Sequence, residues 1–184
     1  MKKLFTLSII LIFFSSCASE EIIHPTRGNW NANTYTNEYL ELQLTLQGDW
    51  QIYPESELNT PDNREISFFA RQPQTESTIA LTFQPIENPR NFSLADFLNE
   101  CGESETAHFH EHNLLALHTL IGTTPLAGIE WLTKRTEIYA PNTGIIALQF
   151  HLSNAENGYI RCLHFLVDND NEFMEITSWF SWYQ

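Results

Sequence analysis

From Tyr39 the chain alternates strictly. Leu40, Leu42, Leu44 and Leu46 take one parity, and Glu41, Gln43, Thr45 and Gln47 the other. That is the period-two signature of a strand with one buried and one wetted face. Gly48-Asp49 turns the chain, and Trp50, Ile52 and Tyr53 begin a second apolar stretch. Further strands are predicted at Ile66–Arg71 and Thr78–Gln84, where Ile79, Leu81 and Phe83 share a face. A helix follows. Ser93 with Asp96 makes a capping-box-like start, and Phe92 with Phe97 completes a hydrophobic staple. Leu94, Phe97, Leu98 and Cys101 then recur at helical spacing on one face, and Gly102 is expected to stop the helix.

The second half reads as five strands: Asn113–Ile121, Ile129–Tyr139, Gly144–Leu152, Tyr159–Val167 and Glu172–Ser181. The links Gly122–Gly128, Pro141–Gly144, Ser153–Gly158 and Asp168–Asn171 carry turn residues. Four consecutive short links predict an antiparallel meander, because parallel pairing needs long crossovers.

Residues 1–38 follow other rules. Lys2 and Lys3 precede an apolar run, Leu4–Phe14, that is too short for a membrane-spanning helix. Ser15 and Ser16 then lead into Cys17. This stretch resembles the bacterial lipobox, with Phe14 where that pattern prefers Leu, and it implies a signal peptide over 1–16 and lipidation of Cys17. The chain is thus expected at a bacterial cell membrane or outer membrane, lipid-anchored and extracytoplasmic. Ala18-Ser19-Glu20-Glu21 resembles the surface-export signals of Bacteroidetes lipoproteins, which would place it on the cell surface. Residues 17–38 are polar and rich in Asn and Thr, and read as the lipidated cysteine and a tether ahead of one domain over 39–184.

Charge narrows the partners. The chain holds 9 basic and 23 acidic residues, and loss of residues 1–16 removes two lysines and no acid, leaving 168 residues at a formal charge of −16. Such a polyanion repels nucleic acid and anionic membrane surfaces. With Cys17 lipidated, Cys101 and Cys162 remain, either bridged or as two separate thiols.

The order of these elements is similar to that of the PsbP-like (Mog–PsbP) superfamily. TYTNEYLELQLTLQGDWQIY matches its opening strand-turn-strand with a Trp at the turn, and TIALTFQPI and the helix NFSLADFLNECG follow in order. PLAGIEWLTKRTEI and GYIRCLHFLVDNDNEFMEITSWF then echo a Gly before a long strand and an aromatic-rich hairpin. The resemblance spans Tyr35–Trp182 and implies an α+β fold: a single antiparallel, meander-rich sheet with helices packed on it. The family adds a C-terminal helix after its last strand, whereas this sequence ends at Gln184, so one sheet face is expected to be less covered. The family's binding and accessory roles imply a non-catalytic module, but no motif for its functional residues is present.

Local chemistry is sparse. In His108-Phe109-His110-Glu111-His112, an extended backbone would put His108, His110 and His112 on one face, where three imidazoles suit Zn²⁺ or Cu²⁺; otherwise the segment is a solvated loop. Cys162 and His164 share a strand face, with Gln149 and His151 on the expected partner strand, so the pair reads as a nucleophile and base or as buried structural groups. Asp168–Glu172 is oxygen-rich but lacks the mid-loop glycine of a calcium loop, and reads as a hairpin turn. Trp179, Phe180, Trp182 and Tyr183 crowd the end, either finishing the core or exposing an aromatic surface for a partner or carbohydrate. No G-x-S-x-G, phosphate-cradling glycine loop or H-E-x-x-H occurs, so no cofactor is expected. The sequence reads as a lipid-anchored envelope protein that binds another envelope protein and is not an enzyme. Its alternative is a metal- or small-ligand-binding lipoprotein using the three histidines.

Overall fold

The leucine alternation does build a strand, but in a small sheet of its own. The computed structural model describes residues 28–53, 65–156 and 158–183. In it β1 (Asn29–Asn31), β2 (Thr34–Asn37), β3 (Leu42–Thr45) and β11 (Phe180–Trp182) form a four-stranded sheet ordered β1-β2-β3-β11. A seven-stranded antiparallel sheet takes the rest: β4 (Gln51–Ile52), β5 (Glu65–Arg71), β6 (Thr78–Pro85), β7 (Leu115–Leu126), β8 (Ile129–Ala140), β9 (Ile145–Glu156) and β10 (Tyr159–Val167). Its order is β4-β5-β6-β10-β9-β8-β7.

The expected single sheet with helices on it is therefore corrected to a mostly β fold of two sheets. The inward leucines of β3 need an apolar surface to bury against, and the larger sheet supplies it. Leu42, Leu44 and Tyr35 share one core with Phe68, Ile79, Leu81, Leu163 and Phe165. Across the gap, the Tyr35 and Phe68 rings lie 4.6 Å apart and Phe165 and Phe180 6.1 Å. The opposite face of the large sheet carries α1 (Leu94–Glu111), which touches β7, β8 and β9.

Local signals set the helix start. Asp96 N–H donates to Ser93 Oγ at 3.3 Å, and Phe92 and Phe97 meet at 6.4 Å between centroids. The expected stop at Gly102 does not occur, and α1 continues to Glu111. One helical glycine costs about 1 kcal/mol, too little to end a helix whose next turns hold Glu and Ala. The sheet also takes in residues 29–37, part of the segment read as a tether. Their Asn and Thr faces hide the alternation, since only Tyr35 and Asn37 are buried.

Residues 172–181 correct a second expectation. Instead of one long strand, α2 (Asp170–Thr177) precedes the short β11. The oxygen-rich run is not a hairpin turn but a helix cap: extended Asn169 accepts the Glu172 N–H at 3.0 Å. α2 then lays Phe173 flat on Phe150, with centroids 3.7 Å apart, and edge-on to Phe165 at 5.3 Å. This helix, placed before the last strand rather than after it, covers core that was expected to be bare.

A bidentate ion pair pins α2 to the large sheet: Arg135 Nε reaches Asp170 Oδ1 at 2.9 Å and Nη2 reaches Oδ2 at 3.0 Å. The Arg135 hydrogen bonds hold the Asp170 carboxyl below its ordinary value. A depressed carboxylate stabilises the fold above its unfolded pKa and stops doing so as pH falls through the folded value. The Asp170 side chain is 62% exposed, so the expected loss below about pH 4 is under about 1 kcal/mol. Arg135→Gln should remove that acid slope in denaturation midpoints measured from pH 6 to pH 2; an unchanged slope would mean the pair contributes nothing.

Candidate functional site

The histidines expected to converge on a metal lie on or next to the end of α1. Positions 108 and 110 are helical, and a helix turns about 100° per residue, so alternate positions fall on opposing sides. His110 and His112 are exposed, and the side chain of His108 lies outside the described residues, as does Cys17. Among the described residues, no group of three or more His, Cys, Asp or Glu could hold a metal ion. The premise of an extended segment is thus replaced.

Cys162 and His164 do share a face, on the α1 side of β10. Register puts His164 opposite His151, and Cys162 opposite Ser153, while Gln149 pairs with Leu166. The His164 and His151 Nδ1 atoms are 2.8 Å apart, and His164 Nε2 lies 2.9 Å from Thr82 Oγ1. Cys162 Sγ lies 3.3 Å from Ser153 Oγ. Buried Lys134 sits opposite His151 on β8 and lengthens this polar seam. Both ring nitrogens of His164 face seam atoms, Thr82 Oγ1 and His151 Nδ1, so the imidazole is engaged across three strands of the sheet under α1. Cys101 on α1 and Cys162 are both thiols.

Two surfaces stand out. The first is β7, an edge strand of 12 residues, LALHTLIGTTPL, without a single Asp, Glu, Lys or Arg. Leu115, Leu117, Leu120 and Ile121 are exposed there, and Ile145 and Ile146 on β9 join them. Leu115, Tyr139 and Ile146 line up across three strands, which makes the patch continuous. Edge strands are ordinarily short or guarded by charge. The opposite edge, β4, obeys that rule with two residues. The uncharged composition of 113–121 was readable beforehand, but its position at a sheet edge depends on pairing between distant segments.

The second surface is a cleft of about 510 Å³ where the two sheets meet. Tyr39 and Glu41 come from the turn before β3, Asn154, Glu156 and Arg161 from the β9–β10 hairpin, and Trp182 from β11. Arg161 is 3% exposed. Its Nη2 meets Glu156 Oε2 and Asn154 Oδ1, each at 2.6 Å, and its guanidinium lies 5.7 Å from the Trp131 ring centroid. Burial pulls the guanidinium below its ordinary pKa, against the opposing pull of Glu156. Trp182 lies over Gly128, whose added Cβ would sit 2.3 Å from the indole Nε1, so position 128 needs glycine for this wall to close. Of the aromatic cluster at the end of the chain, Phe180 finishes the core and Trp182 is exposed.

No protein-family model and no curated protein sequence matches this chain. Among solved structures, it is similar to the solution structure of cyanobacterial PsbP (CyanoP) from Synechocystis sp. PCC 6803. The identity is 10% and the TM-score 0.57, over 82% of this chain and 91% of that one. Among the described residues, no helix is long and apolar enough to cross a membrane. At that identity the likeness concerns the fold alone, and the fold of this chain is PsbP-like.

Proposed function

We propose that this chain is a lipid-anchored, extracytoplasmic envelope protein whose folded part is a non-catalytic binding module. The anchor rests on residues 1–17, where a basic start and a short apolar run lead into Cys17. The observation that carries the binding role is the open β7 edge, 12 residues of unguarded backbone beside exposed leucines and isoleucines. A free edge with an apolar flank takes an added strand, in which main-chain bonds supply affinity and side-chain contacts specificity. The occupant is an extended segment of an envelope protein, apolar at alternate positions and neutral or basic, since the chain from Cys17 onward carries a formal charge of −16.

A photo-crosslinking residue at Thr119 on β7, with Gln51 on β4 as control, tests this in intact cells. One defined adduct is expected from position 119 and none from position 51. Leu120→Lys with Ile121→Lys should cut that adduct at least about tenfold, because two charges would enter the contact. Equal labelling at both edges, no adduct, or a doubled mass showing a second copy on β7 would each overturn the reading.

A further inference from the structure

We infer that the cleft between the two sheets binds a neutral saccharide, with a sugar ring against Trp182 and its hydroxyls on Arg161, Asn154, Glu156 and Glu41. This site stands apart from β7's apolar patch: the cleft borders Ile129, at the start of β8, whereas the nearest patch residue, Ile121, pairs with Lys134. Five residues of strand separate them along β8, about 17 Å.

Four observations carry the assignment. First, the volume, about 510 Å³, is that of a ligand pocket. Second, two of the lining side chains each carry a buried polar atom with no hydrogen-bond partner among the described residues: Arg161 Nε and Tyr39 Oη. Buried polar groups are nearly always satisfied, so a nine-tenths-buried arginine with an unused N–H beside a cleft calls for an acceptor from outside the chain. Third, the charges exclude the simplest acceptor, an anion. Glu41 and Glu156 line the same cleft, and Glu156 already neutralises Arg161. A carboxylate or phosphate ligand would meet two like charges within a strongly acidic protein. A bare cation fares no better against a buried guanidinium. Fourth, Trp182 remains 43% exposed at the rim with its ring held over Gly128. An exposed indole beside carboxylate, amide and guanidinium groups suits a molecule with apolar C–H faces and hydroxyls that both donate and accept. Sugars have that chemistry.

Isothermal titration of the full chain in a sugar-free detergent tests the site. The probes are neutral tetrasaccharides of glucose, mannose, galactose and N-acetylglucosamine, each titrated separately, and tetragalacturonate as the anionic counterpart. At least one neutral probe is expected to bind saturably at one per chain. Trp182→Ala and Asn154→Ala should each weaken it by about tenfold or more, and Trp182→Phe, which keeps a stacking ring, by only a few-fold. Circular dichroism establishes that each variant is folded before it is titrated, and Asn154→Ala removes no core side chain. The inference is overturned by no heat from any neutral probe, by binding that neither alanine variant weakens, or by tighter binding of tetragalacturonate. Loss of the β7 adduct has no bearing on these outcomes, so the two sites fail independently.

Discussion

Phe173→Ala is expected to lower the unfolding free energy by about 3–5 kcal/mol, the range for truncating a buried Phe. An eight-residue helix has little stability of its own, so α2 depends on what it buries. It buries only two side chains, Phe173 and Ile176. Removing the ring takes away the stack on Phe150 and the edge contact with Phe165, and leaves a cavity between the sheets. The damage should spread along the chain, because Trp179 O accepts the Thr45 N–H at 3.2 Å and β11 pairs with β3 directly after it. Denaturant titration measures the loss as a lower midpoint at unchanged slope. Met174→Ala on the exposed face, 63% exposed, serves as the contrast and should stay within about 0.5 kcal/mol. A Phe173→Ala loss under about 1 kcal/mol would mean that α2 is not a layer of this core.

The second large effect belongs to a single hydroxyl. Tyr35 is fully buried, and its Oη accepts from Gly28 N–H at 3.1 Å and Asn37 Nδ2 at 3.0 Å while pairing with Ser67 Oγ at 2.5 Å. Ser67 lies on β5 and Tyr35 on β2, so this oxygen ties the two sheets together. Tyr35→Phe keeps the ring stacking and removes the oxygen that these three groups share inside the fold, at a cost of about 1–3 kcal/mol. The pH dependence gives a second signature. Burial raises the Tyr35 phenol, only partly offset by its bonds from Asn37, Ser67 and Gly28. A raised acid keeps its full stabilisation below the unfolded pKa and loses it as pH climbs through about 10 and beyond. Wild type should therefore weaken on the alkaline side, and Tyr35→Phe should lack that part of the slope. Parallel alkaline slopes in the two proteins would refute the buried-phenol account.

The strand Tyr159–Val167 has the bounds its turn residues and apolar run predict, and β7 to β10 form the meander expected from short links. Ser93 and Phe92 mark the helix start correctly, because caps and staples act within one turn of the chain. The misreadings arose where a local signal was weak or shared. Asp168–Asn171 suits a hairpin turn and a helix cap equally well, and only the docking of Phe173 on Phe150 selects the cap. Gly102 is a good stop at a helix end, yet a tolerable residue inside a longer helix lying on a sheet. His108, His110 and His112 read as one face only if extended, so the helix removes the basis for their convergence.

Local pattern was enough for the strands of the larger sheet, the start of the first helix, the acidic balance and the lipoprotein-like start of the chain. Each of these depends on neighbours within a few residues or on simple counts. Tertiary structure alone decided that β3 leaves the meander for a second sheet with β11, that β7 is an unguarded edge, and that Tyr39, Arg161 and Trp182 enclose one cleft. Period-two alternation specifies a buried face but not the surface that buries it. That choice is made by pairing and core packing between residues far apart in the chain, such as Phe180 with Leu44, and no local pattern encodes it.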